Sequence, residues 1–195
     1  MLLLMLTLFC GSEVSSFPQG QIVFANNAAA IITNALTGSA WWESNPLYLR
    51  VAVYGANGHN QLESSLVFQP SAVTNLNAPG RFFGGTRELA LPAGQVTLQV
   101  RAWGASTYYE SYEDAVVAAF GGDRSVVIGT SPLFYTTLTA PLNPPTPIAT
   151  QGLQPFIVNA IPEPSAWALG AMAIGLLFLS RFSRRGRHAK ESGQI

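Results

Sequence analysis

The run Val96-Thr97-Leu98-Gln99-Val100-Arg101-Ala102-Trp103 alternates small or branched apolar side chains with larger polar and aromatic ones, without a break. Successive side chains of a strand point to opposite faces, so this spacing sets Val96, Leu98, Val100 and Ala102 inward and Thr97, Gln99, Arg101 and Trp103 outward. A second run has the same period, with Leu47, Leu49, Val51 and Val53 on one face and Tyr48, Arg50, Ala52 and Tyr54 on the other. Both read as half-buried strands. Further strands are expected over residues 21–25, 65–68, 88–91, 125–129, 133–139 and 153–158, divided by turn chemistry at Ala56-Asn57-Gly58, Ala78-Pro79-Gly80, Gly84-Gly85 and Pro92-Ala93-Gly94. Short strands at this spacing predict an all-β body, an antiparallel β-sandwich of Ig-like or jelly-roll-like topology.

One short helix interrupts the strands. Ser111 is placed to cap it, Asp114 completes a capping-box pattern, and Glu113 and Asp114 suit the positive end of the helix dipole. Residues 115–120 propagate the helix, Gly121-Gly122 stop it, and its place between two strands predicts a sandwich crossover. Asn143-Pro144-Pro145-Thr146-Pro147 reads as a stiff spacer leading into the last strand.

Composition narrows the function. The chain has 195 residues, is 48% hydrophobic and carries 10 Lys+Arg against 10 Asp+Glu. Its charged fraction of 10% is well below the roughly 25% of an average soluble domain. Apolar content of this size excludes disorder as the main state. A net charge of 0 offers little to displace phosphate counterions, so nucleic acid is not an expected partner. Within residues 17–160 there are Arg50, Arg81, Arg87, Arg101 and Arg124 against seven acids, a slightly acidic single domain.

Reactive chemistry in that body is sparse. His59 is its one histidine and stands in Asn57-Gly58-His59-Asn60, which reads as a hairpin tip. No zinc or calcium spacing occurs, so no metal and no cofactor is expected. The glycine pairs lack the strand, Lys and spacing of a phosphate loop. A glycan hydrolase would need Glu110, Glu113 or Asp123 beside another carboxylate, and helix-terminal placement accounts better for the first two. The body is therefore expected to be non-catalytic. The aromatics Trp41, Trp42, Trp103, Tyr108, Tyr109 and Tyr112 are candidate sugar-stacking residues, provided that they form one exposed strip.

The two ends carry addressing information. Residues 1–10 hold Leu2, Leu3, Leu4, Met5, Leu6, Leu8 and Phe9 without a charge, the texture of a signal peptide, and Val14-Ser15-Ser16 places cleavage near Ser16. No Lys or Arg precedes the run, so either the terminal amine supplies the positive charge or the true start lies upstream. The single cysteine, Cys10, falls inside this leader, which leaves the mature body without a disulfide. Near the other end, residues 165–180 are uncharged and rich in Gly, Ala and Leu. Extended to 164–182 they rise about 28 Å as a helix, enough to span a hydrocarbon core of about 30 Å with Arg181 snorkelling. The following 181–190 segment carries Arg181, Arg184, Arg185, Arg187 and Lys190 and no acid. By the positive-inside rule this tail stays in the cytoplasm and the body lies outside the inner membrane.

Immediately before the apolar run stands Ile161-Pro162-Glu163-Pro164-Ser165, where two prolines bias the backbone to an extended, strand-like peptide. Pro162, Glu163 and Pro164, then a short apolar span, then an Arg cluster: this order over residues 161–188 resembles the PEP-CTERM sorting signal of exported bacterial proteins. The body, in residues 51–58, 95–103 and 111–122 and in Ser131-Pro132-Leu133-Phe134, resembles the β-rich bodies of such proteins, which bring no known activity. The resemblance implies an exosortase as processing partner and transient anchoring in the inner membrane. It also implies delivery to the cell surface or to an exopolysaccharide matrix, which the body would join as a component or bind as a carbohydrate-binding module.

Overall fold

The computed structural model describes residues 19–41 and 49–160. The leader at 1–16, Trp42, the motif at 162–164, the apolar run at 165–180 and the basic cluster at 181–190 lie outside the described residues. In chain order the strands are β1 (Gln19–Ala25), β2 (Ile32–Asn34), β3 (Arg50–Asn57), β4 (Val67–Ala78), β5 (Arg81–Pro92) and β6 (Gly94–Gly104), followed by β7 (Val127–Thr130), β8 (Phe134–Leu138), β9 (Thr146–Pro147) and β10 (Phe156–Ala160). The helix α1 (Tyr112–Phe120) stands between β6 and β7, with Ser111 and Asp114 in the reciprocal capping box that their spacing predicts. No helix among the described residues is long and apolar enough to cross a membrane.

The two alternating runs pair with each other. β3 and β6 run antiparallel from Arg50 opposite Trp103 to Asn57 opposite Val96. Leu49, Val51, Val53, Val96, Leu98, Val100 and Ala102 all join one interior cluster with Phe24, Phe82, Leu89 and Phe134. Their other faces are not left to solvent, as half-buried strands would have them. Ala52, Tyr54 and Trp103 form a second, outer cluster with Ala115 of α1 and with Val126. The middle of β3 and β6 is thus buried on both sides.

All strands among the described residues belong to a single, strongly curled mixed sheet, a half-barrel ordered β2-β10-β7-β6-β3-β4-β5-β1-β9 with β8 also on β6. This corrects the expected antiparallel sandwich of two sheets. The β1·β9 and β2·β10 pairs are parallel, and the curl has a local cause in irregular strands. Bulges bend a strand and increase its twist. Thr130 of β7 faces Arg101 and Phe134 of β8 faces Leu98, so residues 131–133 oppose only Gln99 and Val100. β7 and β8 are in effect one strand interrupted at Ser131-Pro132, where proline has no N–H to give. Ser131 fills the gap: its N–H donates to the Val100 carbonyl (2.8 Å) and its Oγ accepts from the Val100 N–H (2.9 Å).

A larger irregularity divides β4. Phe68 faces Tyr54 and Val73 faces Ala52, so residues 69–72 oppose Val53 alone. The buried Gln69 side chain closes this break, donating to the Val67 carbonyl (3.0 Å) and accepting from the Ala90 N–H (2.8 Å). Gly84-Gly85, expected as a turn, lies inside β5, where Gly85 has φ +72° and a Cβ on Gly84 would stand 2.7 Å from Phe24 Cδ1. Bent at these places, the sheet rolls until Gln21 of β1 and Thr139 beyond β8 exchange backbone bonds of 2.8 and 3.3 Å. The helix is not a crossover between sheets. β6 and β7 are antiparallel neighbours, and α1, in their connection, folds back over the outer face.

Candidate functional site

Register across three strands builds the site. Arg50 faces Asn75 on β4 and Trp103 on β6, so these three form one row on the outer face of the sheet. The chain leaving β6 passes beside that row through Ser106, Thr107, Tyr108 and Tyr109. Together they enclose a cleft of about 360 Å³, lined by Arg50, Asn75, Trp103, Thr107, Tyr108 and Tyr109 among others.

Trp103 is the floor. It is 1% exposed, and its Nε1–H donates to the Tyr109 carbonyl at 3.0 Å. Arg50 Nη1 donates to the same carbonyl at 3.1 Å, so one acceptor with two lone pairs fixes both side chains. The guanidinium carbon lies 5.5 Å from the Trp103 ring centroid and 4.7 Å from that of Tyr108, within cation–π range of both. Tyr108 itself is 70% exposed at the rim. Beyond it, the Tyr109 hydroxyl donates to Asp123 Oδ2 at 2.7 Å. Asp123 also accepts from the Ser125 hydroxyl (2.7 Å) and backbone N–H (2.9 Å). Donation by the Ser125 hydroxyl and then by Tyr109 holds the Asp123 carboxyl below its ordinary range, and the same bond pushes the Tyr109 phenol up. These bonds pin the loop that walls the cleft.

A second constellation lies in the next outward row. The Arg101 guanidinium carbon sits 4.1 Å from the Tyr54 ring centroid and 5.3 Å from that of Tyr112. Its Nη1 pairs with Glu113 at 2.9 Å and its Nη2 with Glu63 at 3.7 Å, while Gln99 Oε1 accepts from its Nε at 2.8 Å. Glu113 also accepts from the Tyr54 hydroxyl at 2.6 Å. Burial and that bond raise the Tyr54 phenol well above its ordinary value, and burial raises Tyr112. Arg101 bridges two carboxylates here, so Glu113 and Glu63 share one positive charge. The arrangement ties α1 to the sheet.

The candidate aromatics are therefore divided. Trp103, Tyr108 and Tyr109 line the cleft, and Tyr112 packs edge-on to Tyr54 at 6.4 Å on the Arg101 side. Trp41, 6% exposed, belongs to the interior cluster on the other face of the sheet, with no partner for its Nε1–H among the described residues. No single exposed strip joins Trp41, Trp103 and the tyrosines. His59 stacks on Tyr135 at 3.9 Å, at the far end of β3. Among the described residues no group of three or more His, Cys, Asp or Glu is placed to hold a metal ion. Arg50 and Asn75 were not singled out as site residues from the sequence, although the outward position of Arg50 on its strand was legible. No protein-family model, curated protein or solved structure matches the chain. The functional reading rests on the residues themselves.

Proposed function

We propose that the chain is an exported, non-catalytic protein of the cell surface or extracellular matrix, sorted by a C-terminal signal of PEP-CTERM type. The observation that carries this reading is the order of parts after residue 160: Pro162-Glu163-Pro164, the uncharged run 165–180, then Arg181, Arg184, Arg185 and Arg187. An apolar segment followed by a basic stop sets the body outside the inner membrane, anchored there with its tail in the cytoplasm. The Pro162-Glu163-Pro164 peptide before the apolar run is what a membrane-embedded exosortase would take as substrate. Processing there would release the body to the surface or matrix.

Intact mass of the native protein, measured separately from membrane and extracellular fractions, tests this. The expected extracellular species has lost both the leader and everything beyond about Ile161 to Ser165. A tail present in every fraction would leave a plain single-span protein and remove the exosortase from the account. A second reading, that the body binds matrix polysaccharide, is favoured by one feature of the cleft. Tyr108 offers an exposed ring beside hydrogen-bonding groups on Asn75 and Thr107, the combination that holds a sugar by its apolar face and its hydroxyls.

A further inference from the structure

We infer that the cleft over Arg50 selects sugars that carry a carboxylate, such as uronic acids. The inference rests on the reading of this cleft as a sugar site and adds the charge of the ligand. Among the described residues Arg50 is the one charged residue that lines it. Among the described residues no carboxylate pairs with Arg50, and its single hydrogen bond, to Tyr109, leaves most of its five N–H donors unused. Arg101, two residues earlier on β6 than the tryptophan facing Arg50, shows the contrast, with Glu63 and Glu113 both on it. The body is acidic by two charges, so an uncompensated guanidinium in a cleft is a local reversal of sign.

Geometry narrows the anion. Stacking against Trp103 and Tyr108 removes water from the guanidinium, which raises the return on meeting an opposite charge. A planar fork matches a planar carboxylate in two parallel bonds. A phosphate site would normally gather several cations or a helix N-terminus, and the lining holds one Arg and no helix among the described residues. Around the fork, the Asn75 amide and the Thr107 hydroxyl have no side-chain partner among the described residues, while Ser106 is already bonded to Ser125 at 2.8 Å. These are groups for ring hydroxyls. Tyr108 carries Arg50 against its ring and, at 70% exposure, keeps open surface for the apolar side of a pyranose. The volume of about 360 Å³ falls at the small end of ligand sites, suited to a chain end or a few rings of a longer polymer.

The test uses the full-length chain in detergent micelles and isothermal titration with three probes: an oligogalacturonate, its methyl ester and a neutral cello-oligosaccharide. The ester keeps the rings and removes the charge. The acid is expected to bind at least about tenfold tighter than either other probe, the worth of one charge-assisted hydrogen bond. Arg50→Gln should abolish that preference, and Tyr108→Ala, at an exposed position, should weaken all binding while leaving the circular dichroism spectrum unchanged. If Arg50→Gln does not fold, the ester and Tyr108→Ala still decide. Equal affinity for acid, ester and neutral probe would overturn the acid preference and keep the sugar reading. No binding of any probe would overturn both, and the fate of the tail would be untouched.

Discussion

Gly80 sits at φ +62° in the turn between β4 and β5, and a Cβ there would stand 2.5 Å from the Ile32 carbonyl oxygen. Its N–H donates to Trp41 O at 2.6 Å, and its carbonyl accepts from Ile32 N and from Asn26 Nδ2, both at 2.9 Å. One residue thereby ties three segments together where only a missing side chain leaves room. Gly80→Ala should cost about 1–3 kcal/mol from the backbone conformation alone, read as a lower urea midpoint at unchanged slope. Tyr54 makes a different prediction. Its folded phenol is raised, whereas an unfolded tyrosine ionises near pH 10. Below about pH 10 the contribution is complete; above it the unfolded state loses its proton first and stability falls with rising pH. Tyr54→Phe should therefore lower stability at pH 7 by about 1–3 kcal/mol, since the buried edge of the network loses its bond to Glu113, yet flatten the alkaline decline. Tyr109 and Tyr112, raised as well, should keep that decline from vanishing. Urea titrations at a series of pH values measure both effects.

At the scale of elements, α1 was legible and β4 was not. A capping box is a local device, and both its bonds form here: Ser111 Oγ accepts from Asp114 N at 3.1 Å and Asp114 Oδ2 accepts from Ser111 N at 3.3 Å. The helix has nine residues, buries Ala115, and leaves Val117 and Phe120 exposed, so its packing gives it modest support. Ser111→Ala should cost about 1 kcal/mol and speed amide exchange over α1, with β3 and β6 unaffected. β4 shows why strands are harder. Residues 69–72 break the pairing with β3, and Pro70 breaks the run of donors, so the strand expected at residues 65–68 does not announce one of twelve. Only the long-range bond from Ala90 N to Gln69 shows how the gap is bridged. The cleft follows the same rule. That Arg50 and Trp103 both point outward could be read from period two, but that they stand opposite each other depends on register, which bulges and turns elsewhere decide. Residues 104–109, which complete the wall, carry no periodic signal at all.

For the whole molecule, the inward set was read correctly for the described residues Leu49, Val51, Val53, Val96, Leu98, Val100 and Ala102, Leu47 lying outside them, because hydrophobic alternation reports burial directly, and the layer count was misread because it does not report curvature. A sandwich and a half-barrel need the same inward residues; bulges distinguish them, and Ser131-Pro132 and Gly84-Gly85 resemble ordinary turns in a single sequence. The outer cluster escaped for a related reason. Strands with polar outward residues look half-buried until Arg101, Gln99 and Tyr54 are seen to bond to a helix and to each other instead of to water. Separation of the two faces also explains why Trp41 and Trp103 share no surface: one is on each side of the same sheet.

The curl has one more effect, which concerns time. β1 lies beside β9, Gln21 beside Thr139, and Ile32 of β2 opposite Phe156 of β10, so the earliest strands find partners among the latest. Pairings this distant are closed late, because the loop entropy must be met before any of their bonds can form. A chain that emerges N-terminus first holds its opening strands incompletely matched until Ala160 has appeared, and Pro162 is then the next residue but one. Under the sorting proposed above, maturation of the body and arrival of the signal would be consecutive steps, and the order of synthesis itself would guard against release of a half-made domain.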